Sequence, residues 1–280
     1  MFALFTRPER DDLLSEYTRD RGAPRSSRSS LAQLEHGAAT HIGRRPNNED
    51  AYCAWPELRL YAVADGIGGY EGGEIASKIA LDTLAEFIGH GCHDMDSRRS
   101  VDATGRLARS EELLVKGTRL AHEHIVARQV GELEMMGSTL AAVLVPDAAA
   151  IVCNVGDSRV YLLRDGQLKQ LTRDHTLWTE ILTRGVELPK EQRAIYANEL
   201  TRALGIDGSA EPEITRVPIR SGDQFLLCTD GLYESLSEEQ IINGLQTRPA
   251  QEACDQLVHQ AYEQGAVDNM TALIVRVVYE

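Results

Sequence analysis

Two apolar segments of the chain end alike: Leu60-Tyr-Ala-Val-Ala runs into Asp65-Gly66, and Phe225-Leu-Leu-Cys-Thr runs into Asp230-Gly231. Each pattern carries a carboxylate out of the end of a buried strand. Asp-Gly is also a favoured turn dipeptide, so either site alone reads as a turn. Further acids stand at strand edges: Asn48-Glu49-Asp50 before one strand, Asp157 after another, and Asp268-Asn269 before the last. Hard divalent cations such as Mg2+ and Mn2+ take oxygen ligands in octahedral geometry and keep several waters, so a few carboxylates from separate strands suffice to hold them. For any one residue a turn aspartate is the competing reading, and the ordered combination is what points to metal chemistry.

Other chemically suggestive patterns carry less. Cys53 to Arg59 and Cys92 to Arg98 have the C-x5-R spacing of cysteine phosphatases. Their loops lack a glycine to build a phosphate-cradling nest and carry acids that would repel phosphate and raise the thiol pKa. Gly66-Ile-Gly68-Gly-Tyr-Glu71 imitates a dinucleotide fingerprint without its third glycine, and Asp65 would face the pyrophosphate. His175, opening a helix after Arg173-Asp174, reads as a structural hydrogen-bonding group. Five cysteines, widely spaced and without a C-x-x-C pair, indicate neither a disulfide framework nor a zinc knuckle and fit a reducing compartment.

The elements that must position these residues are legible as alternating strand-like and helix-like segments. Strands are expected at Ala51–Ala54, Leu58–Ala64, Ser138–Val145, Ala149–Val155, Val160–Arg164, Gln167–Leu171, Gln224–Cys228 and Met270–Tyr279. Asp165-Gly166 and Pro146-Asp147 mark hairpin turns between them. Helices are expected at Gly73–Ile88, Ser110–Val130, His175–Thr183, Ser237–Leu245 and Gln251–Gln264, with Ser237 and Gln240 at capping-box spacing. Hairpin-joined strands with long helices inserted at intervals argue for an α+β fold of antiparallel sheets flanked by helices, in one compact domain. Residues 1–34, rich in Arg and Ser and lacking a hydrophobic face, read as a disordered tail, leaving 35–280 as the folded domain.

With 29 Lys and Arg against 43 Asp and Glu, the net charge of −14 argues against nucleic-acid binding and against docking on anionic lipid. The opening residues have too short an apolar stretch for a signal peptide, and no later segment reaches membrane-spanning length uninterrupted. A cytoplasmic monomer is expected.

Six ordered motifs carry a resemblance: Arg45-Pro-Asn-Asn-Glu49-Asp50, Val63-Ala-Asp65-Gly66-Ile-Gly68-Gly69, Met136-Gly-Ser-Thr139, Val155-Gly-Asp157-Ser-Arg159, Cys228-Thr-Asp230-Gly231 and Val267-Asp268-Asn269-Met-Thr271. From about Ala39 to Val277 the chain resembles the type 2C metal-dependent serine/threonine protein phosphatases, particularly short bacterial members. The resemblance implies a four-layer α-β-β-α arrangement, an antiparallel β-sandwich with helices on both faces and a two-metal site at one edge. It implies that Asp65 bridges two Mg2+ or Mn2+ ions, that Asp230 and Asp268 complete one, and that Glu49 and the Gly66 carbonyl complete the other. Asp50 would orient metal-bound water, Arg45 would bind phosphate, and hydroxide bridging the metals would attack phosphorus with no phosphoenzyme. A third, weaker ion would use Asp157, Asp230 and Glu234, where the family has a shorter aspartate. Ile67 replaces a histidine proposed as general acid in many eukaryotic members. Phosphorylated proteins are the implied substrates, with a serine/threonine kinase as the opposing partner. A catalytically silent binding module would be free to lose Arg45, Glu49, Asp65, Asp230 or Asp268, and all five are present.

Overall fold

The computed structural model describes residues 32–278, apart from 69–71, 97–102, 187–188, 190–191, 193–195, 207–209 and 248. The expected tail therefore lies outside the described residues except at its end, where Gln33 and Leu34 already pair with Val278 and Val277. Twelve strands follow: β1 (Gln33–His41), β2 (Ala51–Trp55), β3 (Leu60–Ala64), β4 (Gly66–Ile67), β5 (Gly137–Ser138), β6 (Leu140–Leu144), β7 (Ala149–Val155), β8 (Arg159–Arg164), β9 (Gln167–Gln170), β10 (Glu213–Pro218), β11 (Gln224–Cys228) and β12 (Met270–Val278). The α-helices among the described residues are α1 (Gly72–Asp96), α2 (Ala103–Arg128), α3 (Leu177–Thr183), α4 (Asp230–Tyr233), α5 (Glu238–Leu245) and α6 (Ala250–Glu263).

The strands form two five-stranded antiparallel sheets, ordered β1-β12-β11-β8-β9 and β10-β7-β6-β3-β2, with β4 and β5 as a separate pair. Successive side chains on a strand point to opposite faces, and the core sorts accordingly. Tyr61 and Val63 of β3, Ala141 and Val143 of β6, Phe225 and Leu227 of β11, and Leu273 and Val275 of β12 share one cluster between the sheets. Leu60, Ala62 and Ala64 face the other way and pack with Leu84 and Ile88 of α1 and Leu114 and Ile125 of α2. Leu226, Ala272 and Ile274 pack outward against Ile241 of α5 and Leu257 of α6. Helix, sheet, sheet and helix thus form four layers, and the central strands are apolar on both faces because both faces are covered.

Local chemistry accounts for most boundaries. Asp165 and Gly166 both take positive φ, 52° and 78°, as the β8–β9 hairpin turn requires. Ser237 caps α5 reciprocally with Gln240. Helix α1 continues past Ile88 through Gly89 and Gly91, and at Gly91 a Cβ would run into the Leu113 side chain of α2. Strand β1 was not expected, since its sequence is polar and carries Gly37. That glycine admits the backbone of α6 at Gln251, and the strand is covered by that helix on one face and by the core between the sheets, where Leu34 and Ala38 pack, on the other. Strand β10 also escaped notice; it pairs with β7 alone and ends in Pro218, tolerable at an edge. Among the described residues no helix is long and apolar enough to cross a membrane.

Candidate metal centre

Antiparallel register determines which strand ends meet. Pairs His41 with Met270, Cys228 with Ala272 and Arg159 with Cys228 align one end of the first sheet, and Ala51 with Ala64 and Leu140 with Val155 align one end of the second. The acids lie just beyond these positions. Glu49 and Asp50 precede β2, Asp65 follows β3, Asp157 follows β7, Asp230 follows β11 and Asp268 precedes β12. Hydrogen bonds then join the two sheets at this end. Asp50 Oδ2 accepts from the hydroxyls of Thr229 and Thr271 at 2.8 and 2.7 Å, and the Glu49 N–H donates to Asn269 Oδ1 at 2.8 Å.

Each site segment is held by its backbone. Asp65 N–H donates to Thr139 Oγ1 at 2.8 Å, and Thr139 N–H donates back to the Asp65 carbonyl at 2.9 Å. This reciprocal grip splits the expected Ser138–Val145 strand into β5 and β6, with Thr139 as the break. Asn269 Nδ2 donates to the carbonyls of Ile42 and Asn47 at 2.8 and 2.9 Å, fastening the loop that carries Arg45. The Glu49 carbonyl accepts from Gly66 N–H at 3.1 Å and Ser77 Oγ at 2.7 Å. A Cβ on Gly66 would stand 2.6 Å from that carbonyl, so glycine is needed there, and one on Gly73 would stand 2.7 Å from the Glu49 carboxyl carbon and displace that side chain. Asp230, expected in a turn, instead begins the single turn of α4, and Glu234 closes it by donating its N–H to the Asp230 carbonyl at 2.9 Å.

The resulting electrostatics are those of crowded like charges. Burial pushes Asp50 up to about 7, with Asp230 and Asp268 adding to the shift. Asp65 is raised well above the usual carboxylate range by burial and then by Asp50, Asp230, Asp157 and Asp268. Asp157 reaches about 7 through burial, Asp230 and Asp174, and Asp230 reaches about 6 through burial, Asp268 and Glu234. Burial likewise raises Glu49, with Asp268 and Glu74 contributing and Arg45 opposing. Arg45 Nη2 lies 2.6 Å from Asp268 Oδ2, with the two side chains 54% and 38% exposed, so it stands at the mouth of the cluster.

All of the anticipated residues therefore gather at one edge. Arg45, Asp50, Asp65, Asp230 and Asp268 form the centre, Glu49 lies toward α1, and Asp157 and the exposed Glu234 lie on the other side of Asp230. Among the described residues no three His, Cys, Asp or Glu side chains converge on one point at ligand distance, as expected of carboxylates that repel one another. The donor set nevertheless fits a hard divalent cation. Every group is an oxygen, and Asp230 Oδ1 and Asp50 Oδ1 are buried without a hydrogen-bond partner.

Several positioning residues were visible only as motif letters: Thr139, Thr229, Asn269 and Thr271, whose hydroxyl or amide groups do the fastening. Arg159 is another, gripping Asp174 with Nε and Nη2 at 2.9 and 2.6 Å and lying 3.6 Å over the Tyr233 ring. His175 is buried and its Nδ1 accepts the Gly156 N–H at 3.1 Å, the structural role anticipated for it. Cys53 is buried in the apolar core, where desolvation raises its thiol far out of nucleophilic range. Arg98 and the Cys92 side chain lie outside the described residues.

Comparison with known proteins agrees with this geometry. The chain is 35% identical over 237 residues to the serine/threonine protein phosphatase PstP of Mycobacterium tuberculosis, a match covering 84% of this chain and 43% of that protein. It thus spans less than half the length of that relative. It is 34% identical over 221 residues to the serine/threonine phosphatase stp of Listeria monocytogenes, covering 77% of this chain and 83% of that one. The crystal structure of the PstP catalytic domain in complex with two manganese ions superposes with a TM-score of 0.72 at 34% identity, covering 89% of this chain and all of that one. The protein phosphatase 2C profile matches residues 38–274, and on these grounds the chain belongs to the protein phosphatase 2C family.

Proposed function

We propose that this chain is a metal-dependent phosphatase that removes phosphate from phosphoserine and phosphothreonine in proteins. The observation that carries the reading is that Asp230 and Asp268 lie near enough to Asp65 at one sandwich edge to raise its pKa, and that Asp230 Oδ1 is buried there without a partner. Asp65, Asp230 and Asp268 would hold one Mg2+ or Mn2+, and Asp65, Glu49 and the Gly66 carbonyl a second. Asp157, Asp230 and Glu234 would make a weaker third position, since Glu234 is one methylene longer than an aspartate and stands exposed. When bound, such cations supply the acidity that makes water a nucleophile at neutral pH and the charge that offsets the phosphoryl oxygens.

The chain's own groups do the rest. Arg45, exposed at the mouth beside Asp268, would present its planar fork to two phosphoryl oxygens. Asp50 is a positioning residue: Thr229 and Thr271 fix its Oδ2, which leaves Oδ1 to orient water. No side chain needs to act as nucleophile, in keeping with the burial of Cys53, Cys153, Cys228 and Cys254. Phosphorylated proteins supplied by a serine/threonine kinase are the substrates in this reading, met in the cytoplasm by a monomer without nucleic acid or membrane. The chain's acidity supports that exclusion.

Hydrolysis of a phosphothreonine peptide by the purified chain, with Mn2+ or Mg2+ and with EDTA, tests the proposal beside Asp230→Asn. Turnover that requires metal and is lost in the variant is the expected result. Folded, metal-supplied protein that turns over no phosphopeptide would overturn it in favour of a silent binding module.

A further inference from the structure

Near the carboxylate cluster, α3, the segment leading into it and Thr201-Arg202 line a half-open cavity of about 200 Å3. In a chain of net charge −14, its wall includes Arg173, Arg184 and Arg202. The acids in the wall are already engaged. Asp174 is gripped by Arg159 at 2.6 Å, and Glu180 faces Arg184 at 3.3 Å.

Arg202 is different. Among the described residues no carboxylate lies at ion-pair distance from it, and its Nη1 approaches His175 Nε2 at 3.4 Å. That ring nitrogen is no acceptor. His175 Nδ1 receives the Gly156 N–H, which leaves the ring proton on Nε2, facing Glu213 Oε2 at 3.5 Å. Two donors therefore confront each other, and the half-buried guanidinium keeps its hydrogen-bonding capacity for the cavity. Thr201 Oγ1, in the same wall, is buried and has no partner. Arg173 meets Glu213 through Nε at 3.4 Å, which leaves its terminal nitrogens. A buried hydroxyl without a partner, as at Thr201, is rare in folded proteins, whereas the two arginines are open to solvent as well as to the cavity. A planar fork beside a hydroxyl suits a tetrahedral oxyanion, and the volume holds a phosphate with several waters.

We propose that this cavity binds an oxyanion of the phosphate class, held by Arg202 and Thr201 with Arg173 at its rim. The anion is either free inorganic phosphate or a second phosphoryl group on a substrate whose first lies at the carboxylate cluster. The two places are connected. Asp174 holds Arg159, Arg159 stacks on Tyr233, and the Tyr233 hydroxyl donates to the Asp157 carbonyl at 3.2 Å.

The first test is calorimetric titration of inorganic phosphate into the full chain in EDTA, where no cation can draw phosphate to the carboxylates. Saturable binding is expected, weakened about tenfold or more in Arg202→Gln, less in Thr201→Val. Arg216→Gln, at an arginine paired with Glu111 elsewhere, should bind as the parent does. Circular dichroism melting establishes that each variant is folded, and Arg202→Lys should recover part of the affinity. The second test compares KM for two peptides differing by one added phosphate. An advantage for the doubly phosphorylated peptide that disappears in Arg202→Gln, with kcat unchanged, assigns the site to substrate. Equal KM values with calorimetric binding intact assign it to free phosphate. Phosphate binding unaltered in Arg202→Gln, or neither phosphate binding nor a KM advantage in the parent, overturns the proposal. The calorimetric arm stands whether or not the chain turns over phosphopeptides.

Discussion

Two carboxylates flank β11, Asp223 before it and Asp230 after it, and they meet opposite surroundings. Asp223 is 1% exposed, and both of its oxygens are taken: Oδ1 by Arg164 Nε at 2.8 Å, Oδ2 by Arg164 Nη2 and the Arg220 N–H at 2.7 Å each. Asp230 is crowded by Asp268, Glu234 and Asp65, and its Oδ1 is buried without a partner. At one end of the strand the chain supplies its own cation. At the other it assembles anions and leaves the cation to come from outside. A buried charge that is paired and hydrogen-bonded belongs to the architecture; buried like charges raised together mark a site.

The largest expected effect separates these two ends by activity. Asp230→Asn should lower metal-dependent turnover by about four orders of magnitude, ~5 kcal/mol, since a metal ligand is lost. Its metal-free melting temperature should hold or rise, because one of several repelling charges is gone. Asp223→Asn should do the reverse. It costs about 3–5 kcal/mol of stability by leaving Arg164 half-paired, seen in urea denaturation, while the remaining folded protein keeps its affinity for Mn2+.

A pH series sharpens the contrast. Asp50 and Asp157 at about 7 and Asp230 at about 6 stand above their ordinary value of 3.8. A raised folded-state pKa favours the protonated form, so this stabilisation is complete below about pH 4 and is lost as pH rises through about 6 to 7. The metal-free melting temperature should therefore fall across that window, and saturating Mn2+ should abolish the fall by favouring the ionised forms. A metal-free profile that rises across the window would contradict the crowding described here. Smaller effects are expected at the rim and in the supports. Arg45→Gln should raise KM for a phosphopeptide about tenfold, the loss of a charged hydrogen bond. Thr271→Val should cost about 1–2 kcal/mol in thermal melts, since Asp50 Oδ2 loses one of two hydroxyl donors.

Much of this was legible in order of residues. Strands β7 and β11 were bounded without error because apolar runs end at strong local signals, Pro146-Asp147 and Gly156 for one, Gly222-Asp223 and Asp230-Gly231 for the other. Strand β1 was not legible, because its pairing with β12 and its packing against α6 both come from residues more than two hundred positions later in the chain. The Asp50 anchor was equally hidden. Threonines at 229 and 271 look like ordinary strand-end residues until the sheets bring them to one oxygen.

By itself the sequence determined most of the strands and helices, though not β1 or β10, as well as which acids stand at strand ends and where glycine follows an acid, since periodicity and turn chemistry are local. Tertiary structure decided which of those ends share an edge, that Asp50 ties one sheet to the other, and that Asp174 serves Arg159 rather than the acid cluster. It also decided that Arg202 faces a cavity with its donors unspent. These are outcomes of antiparallel register and of two sheets packing face to face, and they join residues whose separation along the chain leaves no local trace.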